Sequence, residues 1–190
     1  DYHCIKSSIQ ISIKGTQFST DVPFAKQFSL RLAGKFNVYN ALGAIAVTDF
    51  LNVPIGKIVT GLSLLSNVPG RFDTILSPEG FAVVVDYAHT NDALEKLLLS
   101  VRSLKPRRII TVFGCGGNRD KTKRPLMGKV SEENSDWVIV TSDNPRKEDP
   151  EAIIRDITAG MKRNRYEVII NREEAIKHAI SMAQSEDIIV

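Results

Sequence analysis

Little in this sequence points to a specialised environment. Cysteine is nearly missing: Cys4 and Cys115 are the two in 190 residues, far apart and without metal-ligand spacing. That excludes a disulfide framework and a cysteine-based metal site, and it fits reduced thiols in a cytosolic-type compartment. Aromatic residues reach only 7% and do not alternate with basic residues in a stripe, as a nucleic-acid surface would require. No charge sign dominates either, since 25 Lys and Arg against 22 Asp and Glu leave a net +3. There is no signal peptide and no apolar run long enough to span a bilayer. Internal repeats, low-complexity segments and a G-x-x-x-x-G-K-[ST] phosphate loop are all missing. What remains, 43% hydrophobic and 25% charged residues, is the composition of a globule with a real core, one domain or a domain and a fraction. The chain opens without methionine and stops inside the apolar run Ile188–Ile189–Val190, so a piece of a longer protein is expected.

Two patterns succeed each other. Before residue 70, Ile9, Ile11 and Ile13 alternate with polar residues, Phe18 begins another short strand, and Phe28, Leu30 and Leu32 alternate again. A period of two on short runs predicts an antiparallel meander. Val38, Ala41, Leu42, Ile45 and Ala46 fall at helical spacing from Asn37 to Leu51, and a second helix is expected over about 55–65. Asn67–Val68–Pro69–Gly70 is a breaker cluster and the best linker candidate. Beyond it, apolar strands at 81–85, 108–113, 137–141, 167–170 and 187–190 alternate with amphipathic helices. Thr90, Asp149–Pro150 and Asn171 stand at helix starts, Pro125 belongs in a first helical turn, and Ile176, Ala179, Ile180 and Ala183 make the last helix's apolar face. The expected class is α/β, with antiparallel strands plus two helices followed by a Rossmann-like, mostly parallel sheet covered on both faces.

In such sheets ligands sit beyond the carboxyl ends of the strands, and three motifs fall there. Gly114–Cys115–Gly116–Gly117 is followed by Asn118, Arg119, Asp120, Lys121, Lys123 and Arg124. Cations beside exposed amides predict an anion site; the spacing departs from G-x-G-x-x-G, and Cys115 is expected to be a bystander. In Asp143–Asn144–Pro145–Arg146, Pro145 stiffens the turn, so that Asn144 and Arg146 can present an amide and a guanidinium fork to a carboxylate. The alternative is a surface turn with Arg146 paired to Glu148 or Asp149. Asp86–Tyr87–Ala88–His89–Thr90 offers Asp86 to ribose hydroxyls and His89 near a helix N-terminus, or else Asp86 and Thr90 only cap that helix. Arg71 is a hinge candidate or a solvated arginine, and Asn40 a cap or a ligand-facing residue.

Together these segments resemble the Mur ligase family. The residues that carry the resemblance run from Gly34 to Ala41, Pro69 to Phe72, Val85 to Thr90, Gly114 to Gly128 and Thr141 to Arg146, in the family's order. The resemblance implies that residues 1–69 end a central P-loop ATPase domain and that 70–190 form most of a carboxyl-terminal amino-acid-binding domain. It implies a cytoplasmic ATP- and Mg2+-dependent ligase of peptidoglycan precursors. The enzyme would convert the D-glutamate γ-carboxylate of UDP-N-acetylmuramoyl-L-alanyl-D-glutamate (UDP-MurNAc-L-Ala-D-Glu) to an acyl phosphate. The amine of meso-diaminopimelate would then attack it. By the same resemblance, Asn40, Arg71, Asp86 and His89 are assigned to ATP, and Arg119, Asp143, Asn144 and Arg146 to meso-diaminopimelate. The arginines of two adjacent turns are expected to converge on its distal carboxylate.

Asn91, Asn118 and Thr122 depart from the family's proline, aspartate and glycine. The phosphate loop and the family's carbamylated lysine lie outside this sequence, so magnesium ligands are expected mostly elsewhere and no catalytic residue is assigned here. The piece alone is expected to be inactive. A monomer is expected, with neither nucleic acid nor membrane as partner. The competing classes are a non-enzymatic scaffold or regulatory protein keeping the fold, and a nucleotide-dependent oxidoreductase.

Overall fold

The computed structural model describes residues 2–190, Val22 by its backbone alone. The chain divides into two compact units, Asp1–Thr74 and Ile75–Val190. In the first, β1 (His3–Cys4), a 3-10 turn (Lys6–Ser8), β2 (Gln10–Ser12), β3 (Gly15–Val22) and β4 (Lys26–Leu30) precede α1 (Lys35–Phe50) and α2 (Ile55–Leu64). The strand β3 is the spine, pairing antiparallel with β4 along one edge and with β2 and β1 along the other. Its alternation buries Thr16, Phe18 and Thr20 on one face. The β3–β4 register sets Phe18 opposite Phe28, and their rings stack at 5.3 Å. Val38, Ala41 and Ile45 from α1 and Ile58 from α2 close this core, as the helical spacing predicts. Asn52, at φ 59°, follows the end of α1, and Phe72 packs edge-on against Phe36 within the same unit.

The second sheet has the strand order β5-β6-β10-β7-β8-β9. Its strands are β5 (Asp73–Leu76), β6 (Ala82–Val85), β7 (Ile109–Phe113), β8 (Trp137–Val140), β9 (Tyr166–Val168) and β10 (Ile188–Ile189). Every pairing from β6 through β10, β7 and β8 to β9 is parallel. The intervening helices are α3 (Asn91–Ser103), α4 (Lys123–Asn134), α5 (Pro150–Thr158) and α6 (Arg172–Met182). Ala175 and Ala179 of α6 lie on Ile110, Ile139 and Ile189. Val138 and Val140 alternate with Ile139 and so face the other way, where α4 and α5 pack on β8. Both faces are therefore covered, which is why these strands read as unbroken apolar runs. Among the described residues no helix is long and apolar enough to cross a membrane.

The helix starts form as their cap residues require. Thr90 accepts from the Ala93 amide, Asp149 from that of Glu151 with Pro150 at the first helical position, and Asn171 from those of Glu173 and Glu174. Two expectations differ. The buried side of α6 is Ala175 and Ala179, while Ile176 and Ile180 remain 43% exposed; the small residues let the helix lie close to the sheet, and the isoleucines lean outward. The strands β1 and β5 were not expected from the sequence, because His3–Cys4 and Asp73–Leu76 form neither an alternating stretch nor an unbroken apolar run.

Two contacts fix the second unit. The helices α4 and α5 cross where glycine permits: a Cβ on Gly128 would strike the Ile157 carbonyl, and one on Gly160 the Pro125 carbonyl. At the start of β10, the buried carboxylate of Asp187 accepts from Arg108 Nη2 at 2.7 Å and the Gln184 amide at 2.9 Å, with Arg107 Nε at 3.1 Å. Burial raises the Asp187 pKa, but the Arg108 and Gln184 hydrogen bonds and both guanidinium charges outweigh it, leaving it below the usual 3.8.

Gly128→Ala is expected to destabilise the protein by about 1–3 kcal/mol through overpacking, read as a lower urea midpoint; an unchanged midpoint would mean the helices do not approach so closely. The depressed Asp187 pKa contributes stability that is present above 3.8 and lost as pH falls through the lower folded value. Asp187→Asn should therefore be less stable than the parent at neutral pH, with the gap narrowing on acidification. A gap independent of pH would refute this.

Candidate functional site

Because β6, β7 and β8 run in the same direction, three loops leave one edge of the sheet: 86–90, 114–122 and 141–149. The second and third leave neighbouring strands and are pressed together. A Cβ on Gly114 would meet the Thr141 carbonyl, and one on Gly117 the Pro145 carbonyl. The Gly117 amide donates to the Asn144 carbonyl at 2.8 Å, and the Lys147 amide to Asn118 Oδ1 at 3.1 Å. The glycines thus serve the close approach of a second backbone.

Three amides of the 114–122 turn are spent within the protein: those of Gly117, Asn118 and Thr122 donate to the Asn144 carbonyl, the Glu148 carboxylate and Asp120 Oδ1, so these three are not offered to an anion. The cationic cluster after it is mostly engaged as well. Arg124, 1% exposed, forms two parallel bonds of 3.0 Å to Glu148 and a third of 2.9 Å to Asp156. Lys121 reaches Glu148 at 3.1 Å, and Lys123 donates to the His89 carbonyl at 2.7 Å, tying in the 86–90 loop. The bonds from Arg124, then the Asn118 amide and Lys121, hold Glu148 down at about 2 from an ordinary 4.5, against the opposing push of burial. Cys115 is buried, with its thiol on Met127 Sδ, and burial raises its pKa to about 11 in spite of Lys123 and Arg124 nearby. It is no nucleophile at neutral pH.

What remains uncommitted lies in the residues expected to bind the amino acid. Arg119 is exposed, and its guanidinium makes no hydrogen bond or ion pair among the described residues. Arg146 has φ 52° and donates through Nη1 to the Gly117 carbonyl, lying across the two loops. The alternative pairing of Arg146 with Glu148 or Asp149 does not occur, because Glu148 belongs to Arg124 and Lys121 while Asp149 caps α5 and faces Arg155. Its Nε–Nη2 edge, two parallel donors, has no protein partner among the described residues. A Cβ at Gly116 would lie 3.9 Å from both Arg146 Nη1 and Asp143 Oδ2, so a carboxylate and a guanidinium flank the glycine turn. Asn144 is exposed beside them. Such a set can recognise a zwitterion carrying an extra carboxylate.

The other candidates are placed as follows. Asn40 is exposed on α1 and donates to Asn37 Oδ1 at 3.1 Å. Arg71 is exposed in the first unit, next to Gly70 at φ 68°. Asp86 accepts from the Ala88 amide at 2.8 Å, which shapes its own loop, and Thr90 caps α3. His89 is exposed, with Nδ1 2.9 Å from the Tyr87 carbonyl. Among the described residues no group of three or more His, Cys, Asp or Glu side chains stands together. The Arg124–Glu148 pair leaves little trace in the sequence: an arginine at the first helical turn and a carboxylate 24 positions on.

Residues 70–190 match the model of the family described as Mur ligase, glutamate ligase domain. A relative from Clostridium acetobutylicum is 45% identical over 186 residues, 96% of this chain and 39% of the relative. One from Clostridioides difficile is 49% identical over 159 residues, 83% of the chain and 33% of the relative. Both are named UDP-N-acetylmuramoyl-L-alanyl-D-glutamate–2,6-diaminopimelate ligases. A solved structure of a ligase of that name superposes over the whole chain, and over 39% of its own, with a TM-score of 0.72 at 36% identity. This chain thus spans under two fifths of the length of those relatives. With the family match covering all of the parallel-sheet unit and the strand-end loops that bear Arg119 and Arg146, the chain belongs to the Mur ligase family.

Proposed function

We propose that this chain is the amino-acid-binding portion, with part of the ATPase domain, of an ATP-dependent ligase that adds meso-diaminopimelate to UDP-N-acetylmuramoyl-L-alanyl-D-glutamate during peptidoglycan precursor synthesis in the cytoplasm. On this reading residues 1–69 end the central ATPase domain and 70–190 form the carboxyl-terminal domain. The observation that carries it is Arg146, whose Nε–Nη2 edge has no partner among the described residues although carboxylates stand two and three residues away. A guanidinium left with two parallel donors matches a carboxylate in two bonds. The distal carbon of diaminopimelate bears a carboxylate that lysine lacks, so this fork discriminates between them. Arg119 supplies a second positive charge, while Asp143 and Asn144 accept from the distal ammonium.

The chemistry assigned to the full-length enzyme is balanced without a redox step. A γ-carboxylate oxygen of D-glutamate takes the γ-phosphoryl group of ATP and ADP leaves. The free amine then attacks the acyl carbon, loses a proton and expels phosphate. This chain's part is to hold the amine in line and keep water from the acyl phosphate. Asn40, Arg71, Asp86 and His89 are assigned to ATP, and magnesium joins it as the family's metal, held by residues other than these.

Full-length protein should form the amide with meso-diaminopimelate and ATP but not with L-lysine, followed by ADP release and mass spectrometry of the product; equal turnover of both amino acids would sink the role of Arg146. Arg146→Lys should raise the diaminopimelate KM by on the order of tenfold or more, about 1.4 kcal/mol, because an ammonium cannot reproduce the fork. A change mainly in the ATP KM would assign the residue to another ligand.

A further inference from the structure

The best-buried cation among the described residues of the second unit is not among the residues assigned to a substrate. Arg124 is 1% exposed, and its guanidinium meets a carboxylate carried by the neighbouring loop. All acceptor positions of that carboxylate are used. Glu148 Oε1 takes Arg124 Nη2 and the Asn118 amide; Oε2 takes Arg124 Nη1 and Lys121 Nζ. Two of these partners, Asn118 and Lys121, flank Arg119 in the 114–122 turn. Glu148 itself follows Arg146 by two residues and donates its own amide to the Pro145 carbonyl at 3.0 Å. The carboxylate therefore grips the Arg119 turn from within the Arg146 loop, and Arg124 anchors it from beneath. Saturation has a second consequence. A carboxylate this near Arg146, were it free, would be the intramolecular competitor for the fork, present at an effective concentration that a dissolved substrate cannot match.

We propose that Arg124 and Glu148 position the amino-acid site, holding the Arg119-bearing turn against the Asn144–Arg146 turn and keeping Glu148 from capturing Arg146 in place of the substrate's distal carboxylate. The inference rests on the diaminopimelate reading above. Neither residue touches the substrate; both act through Arg119 and Arg146.

The test compares variants in the full-length ligase. Glu148→Gln keeps the size and one acceptor but loses the two-bonded pair, and leaves Arg124 with Asp156. It should raise the diaminopimelate KM about tenfold, one decade of affinity, while the KM for ATP and for the UDP-linked substrate moves less than about twofold. Asp156→Asn removes the other carboxylate from the same arginine without touching either turn. It should lower the urea midpoint as much as Glu148→Gln does and leave the diaminopimelate KM where it was. Arg124→Met frees the competitor and should raise that KM further, and adding Glu148→Gln to it should recover part of the loss. Equal KM changes in Glu148→Gln and Asp156→Asn would reduce the pair to a structural tie and overturn the proposal, as would a double variant no better than Arg124→Met. Should Arg124→Met not fold, the comparison of Glu148→Gln with Asp156→Asn decides alone. Amide hydrogen exchange separates this failure from that of the functional reading. Glu148→Gln should speed exchange at residues 117–121 whichever amino acid the enzyme takes, whereas a parent enzyme inactive with diaminopimelate refutes the substrate assignment. Unchanged exchange there would refute the clamp.

Discussion

Two parallel strands, β7 and β8, end side by side, and the loops that leave them must either splay apart or interlock. Here they interlock, and backbone sterics set the terms. Gly114 and Gly117 carry no Cβ where the Thr141 and Pro145 carbonyls approach, so one loop can lie directly on the other. Main-chain hydrogen bonds then join them, and the region becomes stiff without becoming part of the sheet. Side chains on a surface built in this way are held by both loops at once, which is the preorganisation that ligand recognition requires.

Charge is sorted within that interlock. The segment 119–124 carries Arg119, Lys121, Lys123 and Arg124, which in sequence look equivalent. In the fold Arg124 is buried against Glu148 and Asp156, Lys121 joins Glu148, and Lys123 crosses to the 86–90 loop. Of these four, Arg119 alone has no partner among the described residues. Glu148 and Asp149 follow Arg146 closely, yet both are consumed elsewhere. A buried ion pair is weak evidence for stability, but it is an effective way of deciding which charges a ligand will meet. The two arginines that remain are those the amino-acid reading needs.

The units obey different logics, and this explains why they read so differently. In the first, an eight-residue strand collects partners on both edges, and its core depends on one face of alternating residues with two helices laid over it. In the second, helices on both sides bury most of β7, β8 and β10, and charged groups gather at the strand ends. The interlocked loops leave the carboxyl ends, while ion pairs such as that of Asp187 secure the opposite ends.

Sequence alone determined the order of elements, because apolar period and cap chemistry are local: Thr90, Asp149 and Asn171 cap their helices where they stand, and Val38, Ala41 and Ile45 face one core. It also determined which loops would leave the sheet together, since a parallel sheet puts its carboxyl strand ends on one edge. Brief pairings escaped it, as β1 and β5 form neither an alternating stretch nor an unbroken apolar run, and so did the outward lean of Ile176 and Ile180, which only the closeness of α6 to the sheet decides. Only the tertiary structure decided what the glycine turn does and which cations stay free. A hydrogen bond between Asn118 and Glu148 joins residues 30 positions apart, and no pattern within either loop specifies it. Local periodicity fixes which residues face inward; the pairing of charges from different loops depends on distances that exist only once the strands lie side by side.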